Sequence, residues 1–181
     1  ERLGLEPATL NRLVDRGVSI DQLGKYTDDM LNAGSDPAAI KELIGKQADG
    51  TIKINLEKTL WAVKSEKPGT INTMWLEEGR LYDGTLNPYK YDVGGAGWEH
   101  IRHNHVINPT GNQFAKAYGS EYVNEDKIKA LLLDASKKGD EVINPKGTWR
   151  IYKVPGTDGK KVSVLIGSNG FIRSAIPADM S

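Results

Sequence analysis

The three histidines of the chain fall within six residues, in the run Gly97-Trp98-Glu99-His100-Ile101-Arg102-His103-Asn104-His105-Val106. Imidazole is the side chain whose ordinary pKa lies near neutrality, so two of them together can take and return protons at physiological pH. Cleavage of RNA through its own 2′-hydroxyl calls for such a pair. It needs a base for the 2′-proton, an acid for the departing 5′-oxygen, and cations or donors for the charge gathering on phosphorus. The competing reading is a helix start in which Trp98, Ile101 and Val106 are core and the histidines are solvated.

Metal chemistry fits the cluster less well. Zinc needs four ligands, three of them protein side chains even in an open catalytic site. The chain has no cysteine and no histidine beyond His105. After Glu99-His100 the next histidines come three and five residues on, which is not the helical His-Glu-x-x-His spacing. The tripeptide His103-Asn104-His105 spells the letters of HNH nucleases, but that motif is spread over a hairpin and a helix. A metal-dependent DNase of that kind stays a secondary alternative. Gly94, Gly95 and Gly97 lack the Walker lysine and read as a flexible entry loop, and no Gly-x-Ser-x-Gly elbow marks a serine hydrolase.

The elements that must position the cluster lie downstream. Asn124 is expected to cap a helix over 125–138, with Ile128, Leu131, Leu132 and Ala135 on one face and Gly139 just past its end. Three strands follow over 148–154, 161–166 and 171–176, separated by turns at 155–159 and 168–170. The expected architecture is α+β, an antiparallel meander with a helix packed across it. Alternation places Arg150, Tyr152 and Val154 on one face of the first strand. On the third strand Arg173 alternates with Ile172, and Ser174 falls on the apolar side unless a bulge re-aims it. Arg150, Tyr152, Arg173 and Ser174 could supply the phosphate clamp if that side of the meander meets the histidines.

Upstream, residues 7–45 read as short helices interrupted by Gly or Ser, with Ser19 capping 20–26, a further short helix over 28–31, and Asp36-Pro37 opening 38–44. Residues 51–55 alternate like an edge strand, 64–69 read as a turn or linker, 73–82 as a hairpin arm, and 83–97 as loop. The domain boundary is placed near Pro68, giving a helical region at 1–70 and a second domain at 71–181.

Bulk properties limit the functional classes. Lys plus Arg and Asp plus Glu each total 24, and the halves differ only slightly, with 11 basic and 13 acidic residues in 1–82 against 13 and 11 in 83–181. A nucleic-acid partner must therefore be held by local placement, not by bulk charge. Hydrophobic residues make up 38% of the chain, enough for a core. No run of about 18 apolar residues is present. Opening on Glu1, the chain is expected to be part of a longer polypeptide without its own export signal.

The order Gly97-Trp98-x-His100-Ile101-x-x-x-His105, then Phe114, a helix around 127–135, and the closing run Gly170-Phe171-Ile172-Arg173-Ser174-Ala175-Ile176-Pro177 resembles the bacterial EndoU-like nuclease toxins. These belong to the barnase, EndoU, colicin and RelE-like (BECR) ribonuclease group found at the C-termini of CdiA- and Rhs-type polymorphic toxins. The similarity spans roughly residues 90–178. It implies a metal-independent ribonuclease without cofactor that acts on tRNA or another structured RNA. It further implies a monomer delivered on a larger secreted or surface protein into a target-cell cytoplasm, and neutralised in its producer by a cognate immunity protein. His100 and His105 match the family's acid/base pair and Ser174 its closing Ser/Thr. The family's third catalytic position, often Lys, has no direct match, and Arg150 is assigned to it. Arg102, His103, Tyr152 and Arg173 would contact substrate, and the helical region would correspond to a cytoplasm-entry segment. A non-enzymatic module whose histidine loop docks a partner protein is the alternative from another class.

Overall fold

Local signals start the N-terminal helices where expected. The computed structural model describes residues 3–81 and 95–181. Pro7 sits in the first turn of α1 (Pro7–Asp15), where a missing N–H costs nothing. Ser19 caps α2 (Ile20–Asn32) by accepting from the Gln22 N–H at 3.5 Å, and Asp36 precedes α3 (Pro37–Ala48). The break expected after Tyr26 does not occur. The buried Thr27 donates its hydroxyl back to the Gly24 carbonyl at 3.0 Å, and α2 runs on as one helix.

The next stretch departs from expectation. Residues 51–55 form no strand; a 3₁₀ turn, Leu56–Lys58, leads instead into β1 (Thr59–Lys64). β1 pairs antiparallel with β2 (Thr73–Glu77), so the stretch read as a linker closes a hairpin. A boundary near Pro68 is corrected on that ground, because it would cut a hydrogen-bonded pair. Alternation along the hairpin feeds two cores at once. Ala62 and Trp75 pack with α1–α3 in one cluster, and Trp61, Val63, Met74 and Leu76 point to the other side into a larger one. The α2–α3 connection also covers the β1 edge. Ala62 N–H donates to Ser35 Oγ at 3.0 Å, Asp36 N–H to the Ala62 carbonyl at 3.0 Å, and Lys64 N–H to Asp36 Oδ2 at 2.8 Å. An edge strand paired this way presents no open row of donors and acceptors.

The larger cluster is built on α6 (Glu125–Lys138), capped by Asn124 as expected. Its apolar face lies on an antiparallel sheet of four strands rather than three: β3 (Asp140–Asn144), β4 (Gly147–Lys153), β5 (Lys161–Ile166) and β6 (Ile172–Ile176), in that order. β3 carries little apolar alternation and is held by its register with β4. The two sheets meet at Gly170, where Trp75 N–H donates to the Gly170 carbonyl at 3.1 Å and a parallel bridge joins Trp75 to Phe171. Gly170 has φ of +99°, and a Cβ there would lie 2.1 Å from the Thr73 carbonyl oxygen. Only glycine permits this junction. Among the described residues no helix is long and apolar enough to cross a membrane.

Candidate active site

A short helix, α4 (Trp98–Ile101), carries the first histidine. It starts from a fixed point and not from a flexible loop. Arg80 and Ala96 exchange two backbone bonds of 3.0 Å, and Gly97 N–H donates to the Arg173 carbonyl of β6 at 3.1 Å. Gly97 has φ of +85°, and a Cβ there would meet the Glu77 carbonyl and Gly79 Cα at 2.9 Å, which replaces the flexible-loop reading at Gly95 and Gly97. Gly94 lies outside the described residues, as does most of the expected loop. Trp98 and Ile101 are buried in the larger core, with Lys129 Nζ 5.1 Å from the Trp98 ring centroid. The expected apolar face is thus present, and the histidines lie off it.

Beyond Ile101 the helix widens into a π turn, Arg102–Val106, closed by Ile107 N–H to the Arg102 carbonyl at 2.9 Å. This widening sets the geometry of the histidines. In an α-helix, residues five apart are rotated by about 140° and face different ways, whereas an i to i+5 turn brings them near one another. The His100 and His105 rings lie 6.4 Å apart between centroids, edge to face. Single π turns inside helices are rare and cluster at functional sites.

Each ring is held by an amide. Asn104 Nδ2 lies 3.0 Å from His100 Nδ1 and also donates to the His100 carbonyl at 2.9 Å. His105 Nδ1 lies 2.8 Å from Gln113 Oε1, at the start of α5 (Gln113–Tyr118). Burial draws the His105 pKa below the usual histidine value; the Gln113 bond opposes this, and the field of His100 adds to it. His105 is therefore neutral at physiological pH and able to accept a proton. Sequence reading missed Asn104 and Gln113 as functional groups. Gln113 is eight residues from His105, across the turn at 107–112, and no local period marks it.

The remaining sequence candidates divide. His103 is on the solvent side, with Nε2 3.7 Å from Glu99 Oε2 one helical turn back, and Arg102 is tied to Glu125 of α6 at 2.8 Å. Tyr152 is half-buried against the larger core.

Arg150 requires a correction. It is fully buried, on the same face of the sheet as Val164, and binds the Ile71 carbonyl at 2.8 Å, the Gly139 carbonyl at 3.2 Å and Glu141 at 3.9 Å. A guanidinium committed to carbonyls inside the core cannot reach a substrate phosphate. Arg150 instead clamps the β1–β2 loop to the main sheet.

β6, on which α4 packs, carries Arg173 and Ser174. Its register slips by one residue, with Ile172 opposite Ile166 but Ser174 opposite Leu165. The extra residue is a β-bulge, which turns Ile172 and Ala175 to the α6 side and Ser174 to the face of Leu165. Ser174 thus leaves the side that plain alternation gives it, and it is buried. Among the described residues no hydrogen bond or ion pair engages the half-exposed Arg173 guanidinium. No group of three or more His, Asp or Glu side chains among them is arranged to hold a metal ion. Neither a protein-family model nor a curated protein sequence matches the chain, so the resemblance described above rests on the residues named for it.

Proposed function

We propose that the chain is a metal-independent endoribonuclease that cuts tRNA or another structured RNA. The observation that carries this reading is the pairing of His100 and His105 by the π turn. In the reaction, one imidazole takes the 2′-hydroxyl proton while the 2′-oxygen forms a bond to phosphorus. The P–O5′ bond breaks, the other histidine protonates the leaving oxygen, and a 2′,3′-cyclic phosphate and a 5′-hydroxyl result. Arg173 takes the clamp role that Arg150 cannot fill. Its backbone carbonyl anchors the helix that carries His100, and its guanidinium is uncommitted among the described residues. The resemblance to polymorphic-toxin ribonucleases extends the proposal to a toxin module that works in a target-cell cytoplasm and is held in check by an immunity protein.

Total tRNA incubated with the chain in EDTA is expected to yield fragments with 2′,3′-cyclic ends. His100→Ala or His105→Ala lowers the rate by roughly 10²–10⁴-fold, the usual contribution of a positioned acid or base. Activity on DNA that needs added Zn²⁺ or Mg²⁺ would refute the proposal in favour of the HNH alternative. Inertness toward both nucleic acids would favour a binding module.

A further inference from the structure

The His105–Gln113 contact selects the tautomer of one of the two paired histidines. An amide oxygen can only accept, so at 2.8 Å from Gln113 Oε1 the His105 Nδ1 must carry the hydrogen. The neutral ring then has its lone pair on Nε2, which has no partner among the described residues. The helix start that carries Gln113 is itself fixed. Asn112 caps α5 by accepting from Ala115 N–H at 2.9 Å and ties the cap to the Tyr122 carbonyl at 3.0 Å. Phe114 and Tyr118 anchor the same helix in the core. The His105 backbone is equally constrained, by the π turn and the buried Val106 next to it.

We infer that Gln113 is a positioning residue that holds His105 as the Nδ1–H tautomer with its lone pair on Nε2, which makes His105 the base and His100 the acid. The division of roles rests on the nuclease reading; the tautomer does not. In the step as divided, the 2′-hydroxyl proton passes to His105 Nε2, and the 5′-oxygen receives the Nε2 proton of His100 in its doubly protonated form, for which the Asn104 N–H beside Nδ1 must turn away. Both histidines are left in exchanged protonation states and are reset by water. His105 also suits the base role because burial and the neighbouring His100, the titratable group whose field reaches it, keep it unprotonated to lower pH. Gln113 contributes a neutral acceptor that orients the ring without charging it.

The test has an arm that needs no RNA. Long-range ¹H–¹⁵N spectra of the wild-type chain should show His105 protonated at Nδ1 and bare at Nε2 in the neutral form. In Gln113→Leu that preference is lost. Gln113→Glu keeps an acceptor at the same place but adds charge, so the His105 titration midpoint rises by roughly 1–3 pH units. In the activity arm, the acid limb of kcat/KM for tRNA cleavage follows the His105 midpoint and moves up with it in Gln113→Glu. Gln113→Leu lowers kcat by about tenfold or more, part of the ~10²–10⁴-fold a positioned base supplies, and Gln113→Glu recovers that loss above its shifted limb.

An Nε2–H tautomer in the wild type, or an acid limb that ignores Gln113→Glu, would overturn the inference. A wild-type chain that cuts no RNA would overturn the nuclease reading and with it the division of roles. The spectra would still decide what Gln113 does to His105.

Discussion

Replacing Arg150 with methionine tests the structural role given to that residue against the catalytic one suggested by its sequence position. Methionine keeps much of the apolar stem and deletes the guanidinium. The Ile71 and Gly139 carbonyls, at 2.8 and 3.2 Å, lose a charged donor inside the core, and Glu141 loses its countercharge. Hydrogen bonds to charged groups contribute about 1.5–3 kcal/mol each, and removing one partner of a buried pair costs about 3–5 kcal/mol. We therefore expect a loss of about 3–5 kcal/mol, a large share of the ~5–15 kcal/mol that holds an ordinary domain folded. Urea unfolding followed by the fluorescence of the four tryptophans reads this directly. With a slope of about 2 kcal/mol per molar urea, the midpoint falls by roughly 2 M. A variant with an unchanged midpoint would refute the clamp. So would one that keeps its stability but loses RNA cleavage by the margin expected of His105→Ala, because Arg150 would then be acting on substrate.

Two further predictions concern the same framework. Glu141 accepts the Thr70 and Ile71 N–H groups, and these bonds with the Arg150 field outweigh burial to hold its pKa below the usual glutamate value. A depressed carboxylate stabilises the fold above its unfolded pKa and loses that contribution as pH falls through the folded one. The stability advantage of wild type over Glu141→Gln, measured by urea midpoints, should therefore be full near pH 6 and shrink below about pH 4.5; an advantage that grows on acidification would contradict it. Deleting residues 1–50 strips the cover from Trp75, which is 0% exposed, and from the β1 edge. Roughly 200 Å² of tryptophan surface at about 25 cal/mol per Å² loses on the order of 5 kcal/mol. The remainder should aggregate or lose cooperative unfolding in circular dichroism melts, whereas a stable, monomeric remainder would mark residues 51–181 as a unit that folds without the helices.

What could be read from the sequence was whatever neighbouring residues settle among themselves. Ser19 and Asn124 mark helix starts because a cap bonds to an N–H two or three residues away, and Asp36-Pro37 marks another because proline suits the first helical turn. Alternation across 161–166 gives β5 because its period belongs to the strand itself. β3 was not legible, since a weakly apolar edge strand is stabilised by its neighbour and not by its own pattern. The hairpin loop at 65–72 was equally hidden, because its role depends on Glu141 and Arg150, about 70–80 residues away in the chain.

The candidate site divides in the same way. The sequence by itself determined that imidazoles would be concentrated at 100–105, that no thiolate could join them, and that Trp98, Ile101 and Val106 would turn inward beside them. Only the tertiary structure decided that His100 and His105 meet, because that depends on how the helix is wound, and its packing against α5, α6 and β6 accompanies the π turn. The bulge that re-aims Ser174, the burial that withdraws Arg150 and the approach of Gln113 to His105 were decided there too. Each is a distance between groups that the chain separates, and no spacing along the sequence encodes it.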